Sequence, residues 1–421
     1  MIKKWGLTAV VCLVAIPILA GTTKESLRTE LAAAMRQKDI AEIRRVTDEA
    51  IRTAGAAAGV PDAAPDFKPV PKDAKPLSSN EVGKAFTPYL HRLETEQWWQ
   101  SRPAPQDIPQ PLRFVASVVE GCLAARRAGC EEPESLLRMA REAGDFLVSA
   151  QAQGGRGVFP FPAWKGKGGR LGGLSDQFLQ RAEQSGRLAD YTHNGWIVDD
   201  VGEGDLQFDN GECGVALLHL YEATHDEKYL HSATAAADWA AQQPVVPNWN
   251  YNSFSLFLLS EAFRVTHEPR YLVAAKEKAR LGVYPGQLQT GPHTGRWDDP
   301  HNARLVYHFI LLRGLAAFVE VLPADDPDFP TALATLQHGV NGWLPELLEH
   351  GVANGEKVLE FLARVELNPT LRLHLKNYQV DQAFDLVGRF YSASIRQGRA
   401  AVAPGAWGFY LEAAKKRFGS Q

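Results

Sequence analysis

Apolar residues recur at helical spacing along most of the chain, and two-residue alternation is almost absent, so the pattern predicts a mostly helical protein. Over 24–58, Leu27, Leu31, Met35, Ile40, Ile43, Val46 and Ile51 fall near helical spacing among charged neighbours, which predicts one peripheral amphipathic helix. Pro61, Pro65, Pro69, Pro71 and Pro76 then break any regular element across 59–79, a semi-extended strap and a boundary. From about residue 80 onward helix follows helix.

The chain also repeats itself. A shift of 42 positions superposes Asn210 on Asn252, Leu217 on Leu259, Tyr221 on Phe263, Thr224-His225 on Thr266-His267, and Tyr229-Leu230 on Tyr271-Leu272. Leu136-Leu137, Ala140 and Asp145-Phe146 match Tyr229-Leu230, Ala233 and Asp238-Trp239 at a shift of 93, near twice the unit. Looser copies run through Leu311–Leu322 and Phe329–Leu344. Each copy reads as helix, tight turn, helix. One such hairpin buries only one face, so several must pack side by side as a solenoid or a closed ring. The turns within hairpins are short, near 129–133, 224–227, 266–269 and 323–328, whereas the links 152–208, 243–251 and 283–300 are long and rich in Gly, Pro and aromatics. Alternating helices then put every long link on one rim, and the expected fold is an (α/α) toroid with one decorated end.

The ends of the chain refine this division. Lys3 and Lys4, the apolar stretch Leu7 to Leu19 and the small pair Ala20-Gly21 have the form of a cleavable export signal, so 1–20 is a signal peptide, 21–79 the helix and strap, and 80–421 the toroid. The expected location is the periplasm or the exterior, with no stable membrane span after cleavage. Cys122, Cys130 and Cys213 are too few for a disulfide framework; Cys122 and Cys130 are near enough in sequence to pair, and three buried thiols is the plainer reading.

Composition removes several functions. Over 421 residues, 45 Lys and Arg stand against 49 Asp and Glu, a formal charge of −4 that gives no basic field for nucleic acid. The Gly154-Gly155-x-Gly157 cluster follows a helical run without a surrounding βαβ unit, so it is no dinucleotide loop, and no nucleotide or organic cofactor is expected.

Candidate chemistry collects in the long links. In 152–208 a basic half with Arg156, Lys165, Lys167, Arg170, Arg181 and Arg187 precedes an acidic half with Asp190, Asp199, Asp200, Glu203, Asp205 and Asp209. Such walls suit an anionic sugar, met directly by the cations on one side and through a hard divalent cation on the other; the alternative is a solvated loop whose charges neutralise one another. Tyr191, Trp196, Trp249 and Trp297 beside His193, Asn194 and Asn250 suit stacking on sugar faces while hydroxyls are paired. Trp196, Trp249, Tyr251 and Trp297 are accordingly expected to line one groove. Asp209 with Glu212 has capping-box spacing, and Asn210 and Asn252 read as helix caps at equivalent repeat positions. Asp209 is nevertheless a candidate site carboxylate, since Tyr251 replaces it in the next repeat. Asp299-Pro300 is a sufficient cap and first-turn proline. Arg296, Asp298 and His301 lack such an explanation, and His301, Arg304 and His308 would share one helix face.

Phe146-Leu147-Val148-Ser149-Ala150-Gln151, Gly154-Gly155 and Phe159-Pro160-Phe161-Pro162, followed by Phe208-Asp209-Asn210-Gly211 before a helix ending Tyr221-Glu222-Ala223-Thr224, resemble the helical-toroid pectate lyases of polysaccharide lyase family 10 and the broader six-hairpin glycosidase superfamily. The resemblance covers roughly 110–320. It departs at Arg156-Gly157-Val158-Phe159-Pro160, where the lyases carry Gly-Trp-Pro-Gln. It implies a uronate-containing polysaccharide cleaved by β-elimination, in which a cation neutralises the C6 carboxylate, a base takes the C5 proton and an acid assists the leaving oxygen. Arg296 or Arg156 would meet the carboxylate, His301 or Tyr251 would transfer protons, and Asp199, Asp200 and Asp209 would hold calcium. Glycoside hydrolysis through Asp209 and Asp298 is the rival chemistry. A non-catalytic glycan-binding or envelope scaffold is the third reading.

Overall fold

The computed structural model describes residues 24–54, 67–200, 204–291, 293–298, 305–353, 356–397 and 403–419. The segment 1–20 lies outside them, as does His301. The chain opens with α1 (Lys24–Gln37) and α2 (Ile40–Ala54), two helices where one was expected. Lys38 turns left-handed at φ 56°, and the Asp39 carboxylate accepts from the Glu42 amide at 3.0 Å, so Asp39 starts a new helix. Short α3 (Ser79–Lys84) and α4 (Thr87–Glu96) follow, the first closed by a capping box of Ser78 and Glu81.

Beyond them the chain is built of helical hairpins: α5 (Leu112–Arg127) with α6 (Pro133–Gly154), then α7 (Gly169–Gln184) and α8 (Leu188–Tyr191) inside the long link, α9 (Gln207–Thr224) with α10 (Glu227–Gln242), α11 (Trp249–Thr266) with α12 (Pro269–Gly282), and α13 (Leu305–Val321) with α14 (Phe329–Asn341). The chain ends with α15 (Leu344–His350), α16 (Glu356–Leu367), α17 (Pro369–Leu375), α18 (Val380–Arg396) and α19 (Pro404–Gly419). Helix α5 packs on α9, α9 on α11, α11 on α13, α13 on α16, α16 on α19, and α19 back on α5. Six inner helices therefore close a ring, and α6, α10, α12, α14 and α18 pack outside it. This is an (α/α) toroid.

The inner helices are enclosed on nearly every side, which their sequences anticipate. In α13 the run Leu305-Val306-Tyr307-His308-Phe309-Ile310-Leu311-Leu312 gives way only at Arg313 and again at Glu320. The seam between the first and last inner helices needs close backbone approach. A Cβ on Gly408 would meet the Gly121 carbonyl oxygen at 2.5 Å, and one on Gly121 would meet Pro404 backbone at 2.5 Å.

The repeat has a structural content. Thr224 and Thr266 each donate a hydroxyl to the last turn of an inner helix and accept the amide two residues on, and His225 and His267 each end their helix with φ near 55°. Tyr229 donates to Asp145 at 2.8 Å, and Tyr271 to Asp238 at 3.0 Å, so neighbouring outer helices are bolted by the same pair. Asn210 and Asn252 are tethers and not caps. Asn210 accepts from the Phe159 amide and donates to the Ala236 carbonyl; Asn252 accepts from the Val246 amide and donates to the Val246 and Gly282 carbonyls. Each ties a long link to an outer helix.

Within 152–208, β1 (Phe161–Pro162), β2 (Thr192–His193) and β3 (Trp196–Ile197) form a small antiparallel sheet in the order β1-β3-β2. Phe161 pairs with Ile197, and His193 with Trp196. Among the described residues Cys122, Cys130 and Cys213 are buried and unbonded, with Cys130 donating to the Val82 carbonyl at 3.3 Å.

Candidate functional site

The ring encloses a cavity of about 1010 Å3 lined by all six inner helices. It extends from Gln110, Pro111 and Phe208, where the inner helices begin, to Arg127, Ala223 and Leu367, where they end. Helix α5 alone accounts for about 24 Å of that length. Its wall is charged, and the charges sit seven residues apart: Arg113, Glu120 and Arg127 on α5, Glu212 and His219 on α9, Arg313 and Glu320 on α13, Lys357 and Arg364 on α16. Two helical turns separate such positions, so one face of each helix presents them to the lumen.

At the loop end stands Arg113. Its side chain donates to Asp209 at 2.5 Å and its amide to the same carboxylate at 3.0 Å, while its guanidinium lies 4.3 Å from the centre of the Phe208 ring. Phe208 in turn stacks on Phe254 at 4.2 Å. Asp209 is buried, and desolvation pushes its carboxyl up against the pull of Arg113. Glu356 lines the same end, accepts from the Ala403 amide at 2.8 Å, and is also pushed up by burial.

Below them, Arg313 donates to Glu212 at 2.6 Å and to Glu360 at 2.6 Å, and Lys357 to Glu212 at 3.1 Å and Glu360 at 2.9 Å. Burial alone would raise the Glu212 carboxyl, but Arg313 and Lys357 outweigh it and hold the group low. The tight-turn end has a second tier. Glu261 accepts from Arg364 at 2.5 Å and Arg264 at 2.7 Å, and Arg364 also donates to Glu320 at 2.6 Å. The two ring nitrogens of His219 both face carboxylates, Nδ1 at 2.8 Å from Glu120 and Nε2 at 3.6 Å from Glu261. Burial pushes its pKa down, yet the two glutamates prevail and lift it to about 9.

None of the described residues nominated from the sequence lines this cavity, and His301 lies outside the described residues. Asp209 comes nearest, through Arg113; it lies in the first turn of α9 with Leu206 as the cap residue, so it is a buried counter-ion and not a capping group. Arg296 is buried on the Trp343 ring at 3.7 Å, donates to the Gly342 carbonyl at 2.9 Å and pairs with Glu346. Asp298 accepts from the Trp249 indole at 2.6 Å, and Tyr251 donates to Asp205 at 2.6 Å, with burial raising its hydroxyl pKa. Arg156 is exposed and donates to the Asp190 carbonyl. His193 is exposed on β2; Asn194, in a left-handed turn at φ 50°, donates to the Gln153 carbonyl. Tyr191 is buried, and desolvation lifts its hydroxyl to about 12.

The tryptophans do not line a shared groove. Trp196 is 1 % exposed and donates to Gln153, Trp249 is 3 % exposed against Gly286, and Trp297 is 0 % exposed and donates to the Val283 carbonyl. These rings hold the links to the scaffold. Asn250 is buried and donates to Asn248. His308 is a core residue: its Nε2 lies 2.7 Å from the Gly339 carbonyl, and burial pushes its pKa down to about 3.

The charged halves of the long link neutralise each other, Arg181 pairing with Asp205, and Arg187 with Asp190 and Asp199. Asp200 accepts from the Leu206 amide. Among the described residues no group of three or more His, Cys, Asp or Glu is gathered that could hold a metal ion, and Glu203, beside Asp199 and Asp200 in the sequence, lies outside them.

The charged cavity residues lie within helices and not in the long links where the loop-borne aromatics and charges collect. Their signal was present as charged residues seven apart in otherwise apolar helices.

The chain is similar in structure to a glycosyl hydrolase family 88 protein from Bacteroides vulgatus, at 12% identity and a TM-score of 0.48, over 82% of this chain and 100% of that one. It is also similar to a polysaccharide lyase, at 14% identity and a TM-score of 0.45, over 82% of this chain and 98% of that one. No family model matches the chain, and no curated protein matches it. Likeness at this level carries no chemistry over. Among the described residues no helix is long and apolar enough to cross a membrane.

Proposed function

We propose that the protein is an exported carbohydrate-active enzyme that takes an acidic polysaccharide into the loop end of its ring and cleaves it by β-elimination. The observation that carries this reading is Arg113. It stands at the mouth of the cavity with one side-chain nitrogen committed to Asp209 and its plane against Phe208, which leaves the rest of a pre-oriented guanidinium for a uronate carboxylate. That contact would neutralise the C6 carboxylate and make the C5 proton acidic. Glu356 is the proton-transfer group, because a carboxyl raised by burial is better matched to general base work than one held low by cations. The basic and apolar segment from Lys3 to Leu19 supports an exported location, where polymers are met.

A second reading, glycoside hydrolysis, has its own support. Glu356 and Glu212 both line the cavity, and their environments push them in opposite directions, the usual division between an acid and an ionised partner. One digest separates the two. Elimination leaves an unsaturated uronate that absorbs in the ultraviolet, whereas hydrolysis yields new reducing ends without that absorbance. Arg113→Gln should abolish elimination, and Glu212→Gln should be the more damaging change under hydrolysis. Repeating the digest with calcium and with a chelator tests the calcium expectation independently. Neither product, with binding retained, would leave the glycan-binding reading.

A further inference from the structure

The lumen is longer than the site at its mouth. On α5 it is lined from Gln110 and Arg113 at the loop end, through Ser117 and Leu123, to Arg126 and Arg127 at the tight-turn end. Gln110 is exposed at one end, and Arg126, Arg127 and Glu222 are exposed at the other, so both rims reach solvent. The volume of about 1010 Å3 is at the top of the roughly 300–1,000 Å3 that small ligands occupy, which is room for more than one sugar ring.

The charged cluster stands to one side of this path. Glu212 of α9 accepts from Lys357 of α16 at 3.1 Å, and Arg313 of α13 joins Glu212 to Glu360 at 2.6 Å each. In the ring order α5, α9, α11, α13, α16, α19, the cluster crosses the lumen as a chord, with α11 and α13 behind it and α5 and α19 in front. The front wall is cut back at that level. Helix α5 carries Ala116 and Ser117 there, between Arg113 and Glu120, and α19 carries Gly405, whose amide donates to the Ser117 hydroxyl at 3.0 Å. Phe114 and Phe409, half-buried on the same two helices, give the passage apolar faces suited to sugar rings.

The cations along the lumen differ in what they have left to offer. Arg313, Lys357, Arg264 and Arg364 are each held by two carboxylates, and Arg127 is held by Glu412 at 2.7 and 2.8 Å. Arg126 is exposed and has no hydrogen-bond or ion-pair partner among the described residues. It lies 13 residues beyond Arg113, about 20 Å of helix rise. One helix thus carries an available guanidinium at each mouth.

We propose that the lumen is a passage open at both rims through which an acidic glycan is threaded, with Arg126 a second carboxylate contact at the tight-turn rim. The inference rests on the reading of the lumen as the substrate site. Because six helices close the ring, a chain in the passage has entered by an end and leaves only by sliding, so that successive cleavages fall on the same chain.

The test uses chains of polygalacturonate, polymannuronate and polyglucuronate several times longer than the lumen, each left free, capped with streptavidin at one end or the other, or capped at both. Calorimetric titration of the whole protein should show free chains and at least one singly capped form binding alike, and doubly capped chains binding at least about tenfold more weakly. Doubly capped chains that bind, or are cut, as well as free ones overturn the passage and leave the proposed function intact. An absence of binding to every free chain overturns both. Arg126→Gln should weaken the binding of chains that span the lumen about threefold to fivefold, the effect of one exposed ion pair, and that of dimers by less. An equal effect on dimers and long chains, or none on either, overturns the second contact.

Discussion

His219 offers the sharpest test of the charged lumen, because its two ring nitrogens face Glu120 and Glu261 and only the imidazolium can donate to both. Its pKa rises from the ordinary 6.5 to about 9, which corresponds to about 3 kcal/mol of stability. The folded pKa exceeds the unfolded one. That contribution is therefore complete below about pH 6.5 and is lost as pH climbs through 9. The perturbation is His219→Gln, which keeps one donor and removes the charge. Urea unfolding of both proteins from pH 6 to pH 10 gives the difference in stability at each pH. Lys278, buried and pushed down to about 7, contributes in the opposite direction, gaining stability from pH 7 toward 10.5. Both proteins carry it, so it cancels in the difference. The expected difference falls by about 3 kcal/mol between pH 6.5 and 9 and then stays level. A difference that does not change with pH would refute the assignment of His219 as a buried cation.

Arg113→Met should cost about 3–5 kcal/mol, since it strands the buried Asp209 carboxylate, and Arg113→Met with Asp209→Asn should recover a large part of that in denaturant unfolding. Gly408→Ala should cost about 1–3 kcal/mol by forcing α5 and α19 apart, seen as a lower melting temperature, whereas alanine at half-buried Gly173, where a Cβ would meet nothing within 4 Å, should be tolerated. Tyr229→Phe and Tyr271→Phe should each cost about 1 kcal/mol and by similar amounts, because each deletes the same hydroxyl-to-aspartate bolt between outer helices.

The sequence was most informative where the physics is local and periodic. The 42-residue repeat predicted hairpins, and its matched positions proved to be matched contacts, from Thr224 and Thr266 at the helix ends to Tyr229 and Tyr271 on the outer wall. Site residues were harder, for reasons visible in Trp249 and Arg296. An aromatic or a cation in a Gly-rich link looks available until the tertiary fold supplies Asp298 for one and Trp343 with Glu346 for the other. Lys38 shows the same limit in the backbone: one left-handed residue split a continuous apolar pattern into two helices. The lumen residues lay in plain view as a period of seven, but that period acquires meaning only once six helices face a common axis.

Ring closure has a consequence for synthesis. The amide of Gly405 bonds to the Ser117 hydroxyl across 288 residues, and α19 covers the flank of α5 that holds Ser117 and Gly121. A ribosome adding roughly 5–20 residues per second therefore leaves that flank without its partner for on the order of ten seconds or more after α5 has emerged. During that interval the growing protein is an open curved stack with an unpaired apolar edge, the kind of surface that chaperones hold and that neighbouring nascent chains can capture. Circular permutation at the 225–226 turn would place α5 after α19 in the chain, with α1 to α4 between them, and move the late step to the α9–α11 seam.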